Sequence, residues 1–234
     1  MITLTPRLMT AAKLTNNSNL LADIGTDHAY LPAYLILNNK CRRAIASDIR
    51  PGPLKRAKAT AEKYGLTDKI SLRLGAGLDT IEPLEKPDTI VIAGMGGLVI
   101  SEILENALNT VKSAKKLILQ PMTMAPELRE FLYKYAFGDI IEHLAFEGDK
   151  IYVIISVDIN ENAESHTLTH AEAYIGKGLS DTRPDGFDRY AEHMINKLKN
   201  KIHGLECGET AKAAERLKEA NELLQDVYNL INNL

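Results

Sequence analysis

The chain has 234 residues, 45% hydrophobic and 25% charged, with a formal net charge of -3. That is the make-up of an ordinary globular protein and excludes a collagen-like, wholly disordered or disulfide-scaffold chain. Charge is uneven: residues 1–159 hold 19 Lys+Arg against 18 Asp+Glu, residues 160–234 hold 9 against 13, and ten basic residues against three acidic ones lie between Lys40 and Arg73. Such a local excess suits either a solvated helix face or contact with phosphate. Taken in chain order, a leading helix is predicted over 6–14, then a strand at 20–24 and a helix at 30–38. A strand at 44–48 and a helix at 53–64 follow, then strands at 70–74 and 89–93. After a helix over 98–111 come a strand at 117–120, a helix at 126–135 and two strands, 140–146 and 151–159. The last two are joined by Glu147-Gly148-Asp149-Lys150, where Gly supplies the backbone freedom a hairpin turn needs.

Alternating short β-branched runs and helical patterns are the mark of βαβ units on a parallel sheet. Five parallel strands closed by an antiparallel hairpin is the layout of a class I methyltransferase. A dinucleotide-binding Rossmann domain usually ends on another parallel strand. The polar stretch from Asn160 to Ser165 sets a boundary, giving a catalytic domain over 1–160 and a helical domain over 161–234. In the second, Tyr190, Met194, Leu198, Ile202 and Leu205 share one helix face, Gly204 and Gly208 interrupt the helix, and Ala214, Leu217, Asn221, Leu224, Tyr228 and Ile231 mark a second, with Ala220, Leu223, Val227 and Leu230 beside them. An antiparallel, coiled-coil-like hairpin is predicted.

The chemistry is expected at the carboxyl ends of the strands, where doubly wound sheets bind ligands. The first strand runs into Asp23-Ile-Gly25-Thr-Asp27-His28-Ala-Tyr30. A pyrophosphate fingerprint needs three glycines here, but Asp27 stands at the second glycine's place and would repel pyrophosphate. NAD and FAD are therefore disfavoured, whereas a sulfonium ligand without phosphate is not. Asp48, at the end of the second strand, is placed to take both hydroxyls of a ribose, or else simply to start a turn. Gly75-Ala76-Gly77 and Gly94-Met95-Gly96-Gly97 follow the third and fourth strands.

Together these residues carry a resemblance. Asp23 to Pro32 (DIGTDHAYLP), Asp48, Gly75 to Gly77, Ile92 to Gly97 (IAGMGG) and Leu119 to Pro121 (LQP) resemble the bacterial TrmK family, S-adenosylmethionine-dependent methyltransferases acting on N1 of adenine 22 in tRNA. The resemblance implies cofactor contacts at Asp23, Gly25, His28, Asp48, Gly75, Gly77, Gly94 and Gln120. Met122 departs from the family pattern, which has Asn after the LQP turn. Met95 and Gly96, in the turn that replaces the Asn-Pro-Pro-aromatic turn of exocyclic-amine methyltransferases, are expected beside the substrate. Adenine N1 attacks with an in-plane lone pair and needs no base, so positioning and desolvation should supply most of the rate. Asp27 is the carboxylate expected to stabilise the cationic product. Tyr30 is placed to stack on an extruded base, and Arg50, Lys55 and Arg56 to meet RNA. Lys40, Arg42, Arg43, Lys63 and Lys69 are assigned to the opposite end of the sheet. Arg189, Lys197, Lys199 and Lys201 make the first tail helix basic, to face RNA or to pair with the acidic second helix. The other readings are a methyltransferase of a small molecule or protein, and a non-catalytic adapter.

Other signals carry less. The longest apolar runs, 89–93 and 151–157, fall far short of the roughly 20 residues that span a bilayer, and residues 1–14 lack a signal peptide's apolar core. A cytoplasmic protein is expected. Cys41 and Cys207 suit ordinary thiols rather than a disulfide or a metal site. His166 and His170 in HTLTH lack the Glu and third ligand of a zinc site and read as part of a linker, so no metal is expected.

Overall fold

Strands β1 (Ser18–Ile24), β2 (Cys41–Asp48), β3 (Ile70–Leu74), β4 (Thr89–Gly96), β5 (Lys116–Thr123), β6 (Gly138–Glu147) and β7 (Lys150–Ile159) form one sheet in the order β3-β2-β1-β4-β5-β7-β6. The computed structural model describes residues 2–206 and 210–232, in two units that divide between Ser165 and His166. β1 to β5 run parallel, and β7 is antiparallel to both β5 and β6. This is the mixed sheet expected of a class I methyltransferase. Leu21, Ala22 and Ile24 of β1 and Ile90, Val91 and Ile92 of β4 are buried, as continuous apolar runs must be when helices cover both faces of a sheet.

Helices α1 (Pro6–Leu14), α2 (Tyr30–Leu37), α3 (Pro51–Lys63), α4 (Gly97–Glu105), α5 (Leu108–Ser113) and α6 (Ala125–Tyr135) complete the first unit. The predicted helix over 98–111 is thus two helices. Asn106, a residue that competes with the backbone for hydrogen bonds, closes α4, and Val111 of α5 is buried separately. α6 is fastened to the hairpin by a fully buried pair: Arg129 Nε and Nη2 lie 2.8 and 2.7 Å from Glu142 Oε2, both side chains being 0% exposed.

Two features position the site. The strand order reverses at β1, which pairs with β2 on one side and β4 on the other. The β4–β5 ladder also slips between Ala93 and Met95 and again between Met95 and Gly96. Gly94, with φ +84°, absorbs this bulge, which re-aims the side chain that follows it.

In the second unit, α7 (His170–Ile175) and α8 (Lys177–Thr182) precede α9 (Phe187–Glu206) and α10 (Ala211–Asn232). The HTLTH segment is therefore not wholly a linker. Thr169 and Glu172 form a reciprocal capping box at the start of α7, a T-x-x-E pattern that was present in the sequence. Gly204 lies inside α9 rather than interrupting it; near a helix end one glycine costs only about 1 kcal/mol. Cys207 and Gly208 lie outside the described residues. Leu198 and Ile202 of α9 pack with Ala220 of α10, joined by Leu217, Leu223 and Leu224. The seam of α10 is centred on Ala220 and Val227, the buried pair, while Ala214 and Asn221 are exposed. Lys197, Lys199 and Lys201 make no ion pair with α10 among the described residues, and Lys199 Nζ lies 5.8 Å from the centre of the Tyr228 ring.

Candidate functional site

The carboxyl ends of β1, β2, β3 and β4 and one face of α4, from Val99 to Asn106 at its end, enclose a cavity of about 320 Å³. Its walls include Gly25, Asp48, Gly75, Gly77 and Met95, all expected in the site. The charged residues on its lining are Asp48, Asp79 and Glu102, and neither Lys nor Arg lines it. Acids without a cation suit a positively charged ligand and oppose a pyrophosphate.

Glycine is required at the β1 turn for a specific reason. Gly25 has φ +78°, which residues with a side chain rarely adopt, and the Met95 side chain from the bulged β4 turn fills the space where a Cβ would stand, its Cε 2.0 Å from that position. A Cβ at Gly75 would lie 2.6 Å from Thr80 Cγ2. The Gly25 and Thr26 amides both donate to the Ser47 carbonyl, at 2.8 and 2.9 Å, which ties the β1 and β2 turns together.

Asp48 is 8% exposed. Its Oδ1 accepts from the Arg50 amide at 2.7 Å, with Arg50 Nε at 3.5 Å, and its Oδ2 has no partner among the described residues. The residue both starts a turn and keeps a carboxylate oxygen for the cavity. Ser47 Oγ, buried in the same wall, makes no hydrogen bond among the described residues; sequence reasoning missed it, since a serine within a strand carries no distinguishing pattern. Behind the turn, burial pushes the Asp23 carboxyl up to about 6, with a Thr26 hydrogen bond opposing the shift.

Other expected site residues lie outside this cavity. Gln120 is buried, its Oε1 accepting from Arg7 Nη1 at 2.9 Å and its Nε2 donating to the Pro121 carbonyl at 3.0 Å. Arg7 also lies 5.8 Å from the Tyr152 ring centre and faces Gly94, where a Cβ would sit 3.7 Å from its Nη1. Arg7 was not singled out from the sequence, because nothing in α1 marks a long-range partner. Gly96 packs against Thr123 Oγ1.

Asp27 is 61% exposed in its side chain; its Oδ1 accepts from Arg56 Nε at 3.0 Å and from Arg56 Nη2, and its Oδ2 lies 3.3 Å from His28 Nε2. The expected cation stabiliser and an expected RNA contact therefore hold each other. His28 stacks on Tyr30, with ring centroids 4.9 Å apart and planes at 7°. Tyr30 is 42% exposed, so it is not a core residue. Arg50 and Lys55 are exposed. Lys63, assigned above to the opposite end, lines one groove with His28, Tyr30 and Arg56. It projects from the last turn of α3, and the groove follows that helix. Among the described residues no three His, Cys, Asp or Glu side chains gather as a metal site, and no helix is long and apolar enough to cross a membrane.

The family model TrmK, tRNA (adenine(22)-N(1))-methyltransferase, matches residues 21–230. A Bacillus subtilis tRNA (adenine(22)-N(1))-methyltransferase is 43% identical over 158 residues, 68% of this chain and 66% of the relative; in that match the chain spans about two thirds of the curated relative's length. The crystal structure of B. subtilis TrmK superposes with a TM-score of 0.87 at 33% identity, covering 99% of this chain and 100% of that one. A Streptococcus pneumoniae protein solved in complex with S-adenosyl-L-methionine superposes with a TM-score of 0.81 at 30% identity, covering 98% and 100% of the two chains.

Proposed function

The chain belongs to the TrmK family of tRNA (adenine(22)-N(1))-methyltransferases, and we propose that it transfers the methyl group of S-adenosylmethionine to N1 of adenine 22 in tRNA. The observation that carries the cofactor half of this reading is the cavity at the strand reversal, lined by Asp48, Asp79 and Glu102 and by no basic residue. The unpartnered Ser47 Oγ and the glycine walls leave polar capacity and room there for the adenosyl group. Asp48 would hold the ribose through the oxygen its own turn leaves free. Asp23, Gly25, Gly75 and Gly77 would shape the pocket around the amino-acid and adenosyl parts. When bound, the cofactor supplies an electrophilic methyl carbon on a sulfonium. N1 of adenine brings the lone pair, the new N–C bond forms as the S–C bond breaks, and no proton is removed.

The chain's task is to line up the two groups, exclude water and meet the positive charge that appears on adenine. Asp27 is the carboxylate proposed for that charge, with Arg56 and His28 fixing its orientation. Asp27→Asn should lower the single-turnover methyl-transfer rate more than it weakens cofactor binding. A normal rate with weakened binding would make Asp27 a cofactor ligand instead. Gly94, Met95 and Gly96 would border the target base. Gln120 would act from behind that turn by holding Arg7 beside Gly94. Tyr30, Arg50, Lys55 and the basic face of α9 are proposed to meet the tRNA, which places the protein in the cytoplasm. Residues 1–160 would carry catalysis and the helical hairpin would help to hold the RNA. The direct test compares transcripts with adenine or guanine at position 22. Methyl uptake should occur only with adenine, and equal uptake by both would overturn the assignment.

Asp23 gives the reading a pH signature. Its raised pKa has a sign unusual for a carboxyl. The folded free protein binds this proton more tightly than the unfolded chain, so ionisation between the ordinary 3.8 and about 6 costs stability. The cofactor's ammonium group would favour the ionised form. Affinity for S-adenosylhomocysteine should therefore be flat above a pH of about 6 and fall about tenfold per pH unit below it. Calorimetry at a series of pH values checks this, and an affinity unchanged from about pH 7 to pH 5 would separate Asp23 from the ammonium.

A further inference from the structure

Beside the cofactor cavity, and sharing no lining residue with it, lies a groove of about 430 Å³. Its character is opposite. Arg56 and Lys63 line it, no Asp or Glu does, and three aromatic rings, His28, Tyr30 and Tyr64, face it. His28 and Tyr30 are already stacked, and Lys63 Nζ lies 5.5 Å from the centre of the Tyr64 ring. The groove starts at the β1 turn, where Asp27 holds Arg56, and follows α3 for the seven residues to Lys63, about 10 Å of helix. Its volume is within the roughly 300 to 1,000 Å³ of small-ligand pockets.

Rings with an open face beside cations are what an unpaired nucleotide requires, because every base offers a π-face and every linkage a phosphate. We infer that this groove is a second nucleotide subsite, which takes an unpaired RNA nucleotide next to the target adenine. The base lies against the Tyr30 and Tyr64 rings, and its phosphates meet Lys63 and Arg56. This rests on the reading that the chain acts on tRNA and adds where the strand leaving the reactive edge runs. The Asp27–Arg56 pair sits where the subsite meets the turn, so RNA in the groove bears on the arm that orients Asp27.

The experiment measures tRNA affinity over a range of salt for the wild type, Lys63→Glu and Tyr64→Leu, with S-adenosylhomocysteine affinity as the check on folding. Lys63 is exposed, so its variant should fold. It should raise the tRNA Kd about tenfold and reduce the salt slope by about one, the signature of a lost phosphate contact. Tyr64→Leu, which keeps an apolar body against the core, should raise Kd about fivefold and leave the slope unchanged, the signature of lost stacking. Cofactor affinity should not move in either, since the two sites share no lining residue. Wild-type tRNA Kd and slope in both variants would overturn the subsite while leaving the tRNA reading intact. A wild type that methylates no tRNA would overturn the reading itself.

Discussion

Replacing Asp48 by Ala should weaken S-adenosylhomocysteine binding on the order of 100-fold. The carboxylate is buried at the cavity wall, and only Oδ1 is used internally, on the Arg50 amide. Hydrogen bonds to a charged group contribute roughly 1.5 to 3 kcal/mol each, so two ribose hydroxyl contacts at the low end of that range, about 3 kcal/mol together, account for that factor. Alanine also removes the side-chain acceptor that closes the turn into α3, and the two effects must be separated. Asp48→Asn supplies the separation: its amide oxygen can still accept from the Arg50 amide, but the charge is gone. The expected order of affinity is wild type, then Asn, then Ala, with thermal stability of the Asn variant near that of wild type. Calorimetry showing wild-type affinity for Asp48→Ala would remove Asp48 from the site.

Arg129→Met should destabilise the first unit by about 3 to 5 kcal/mol, because it leaves the Glu142 carboxylate buried without its countercharge. The pair lies between α6 and β6, and Glu142 Oε1 already lacks a partner among the described residues. The double variant Arg129→Met, Glu142→Leu should recover most of the loss, since an apolar pair of similar volume escapes the desolvation that the ion pair bears. Urea denaturation of the three proteins measures this, and a single variant as stable as the double would show that the pair is not a coupled unit. The consequence reaches the site. α6 packs on α4, and a Cβ at Gly97 would lie 1.9 Å from the Met124 carbonyl oxygen. A loosened α6 shifts the backbone against which the Gly94 to Gly97 turn is built.

The first unit was legible in the sequence because each of its strands ends in a turn whose chemistry is local. Gly25 and Gly94 take left-handed backbone angles, φ +78° and +84°, a demand set inside each turn. Asp48 shows why two readings of one residue need not compete, since one oxygen starts a turn and the other is left for the cavity. What stayed hidden was contact between distant segments. Arg7 reaches Gln120 across 113 positions, and Asp27 meets Arg56 across 29; neither has a spacing rule. Lys63 was placed by strand direction alone, whereas its groove runs along a helix rather than along the sheet. In the tail, steps of three and four fitted two neighbouring stripes of α10 equally well. The structure buries Ala220 and Val227 of the second stripe and leaves Asn221 of the first exposed, while Leu217, Leu223 and Leu224, drawn from both, flank Ala220 against α9.

The most direct test incubates the protein with bulk bacterial tRNA and labelled S-adenosylmethionine, then digests the tRNA to nucleosides and maps the modified position. A Gly94 to Gly97 turn without a polar side chain to hold an exocyclic amine predicts 1-methyladenosine, and membership of the family predicts it at position 22. Label in N6-methyladenosine, or in no tRNA nucleoside, would contradict the account.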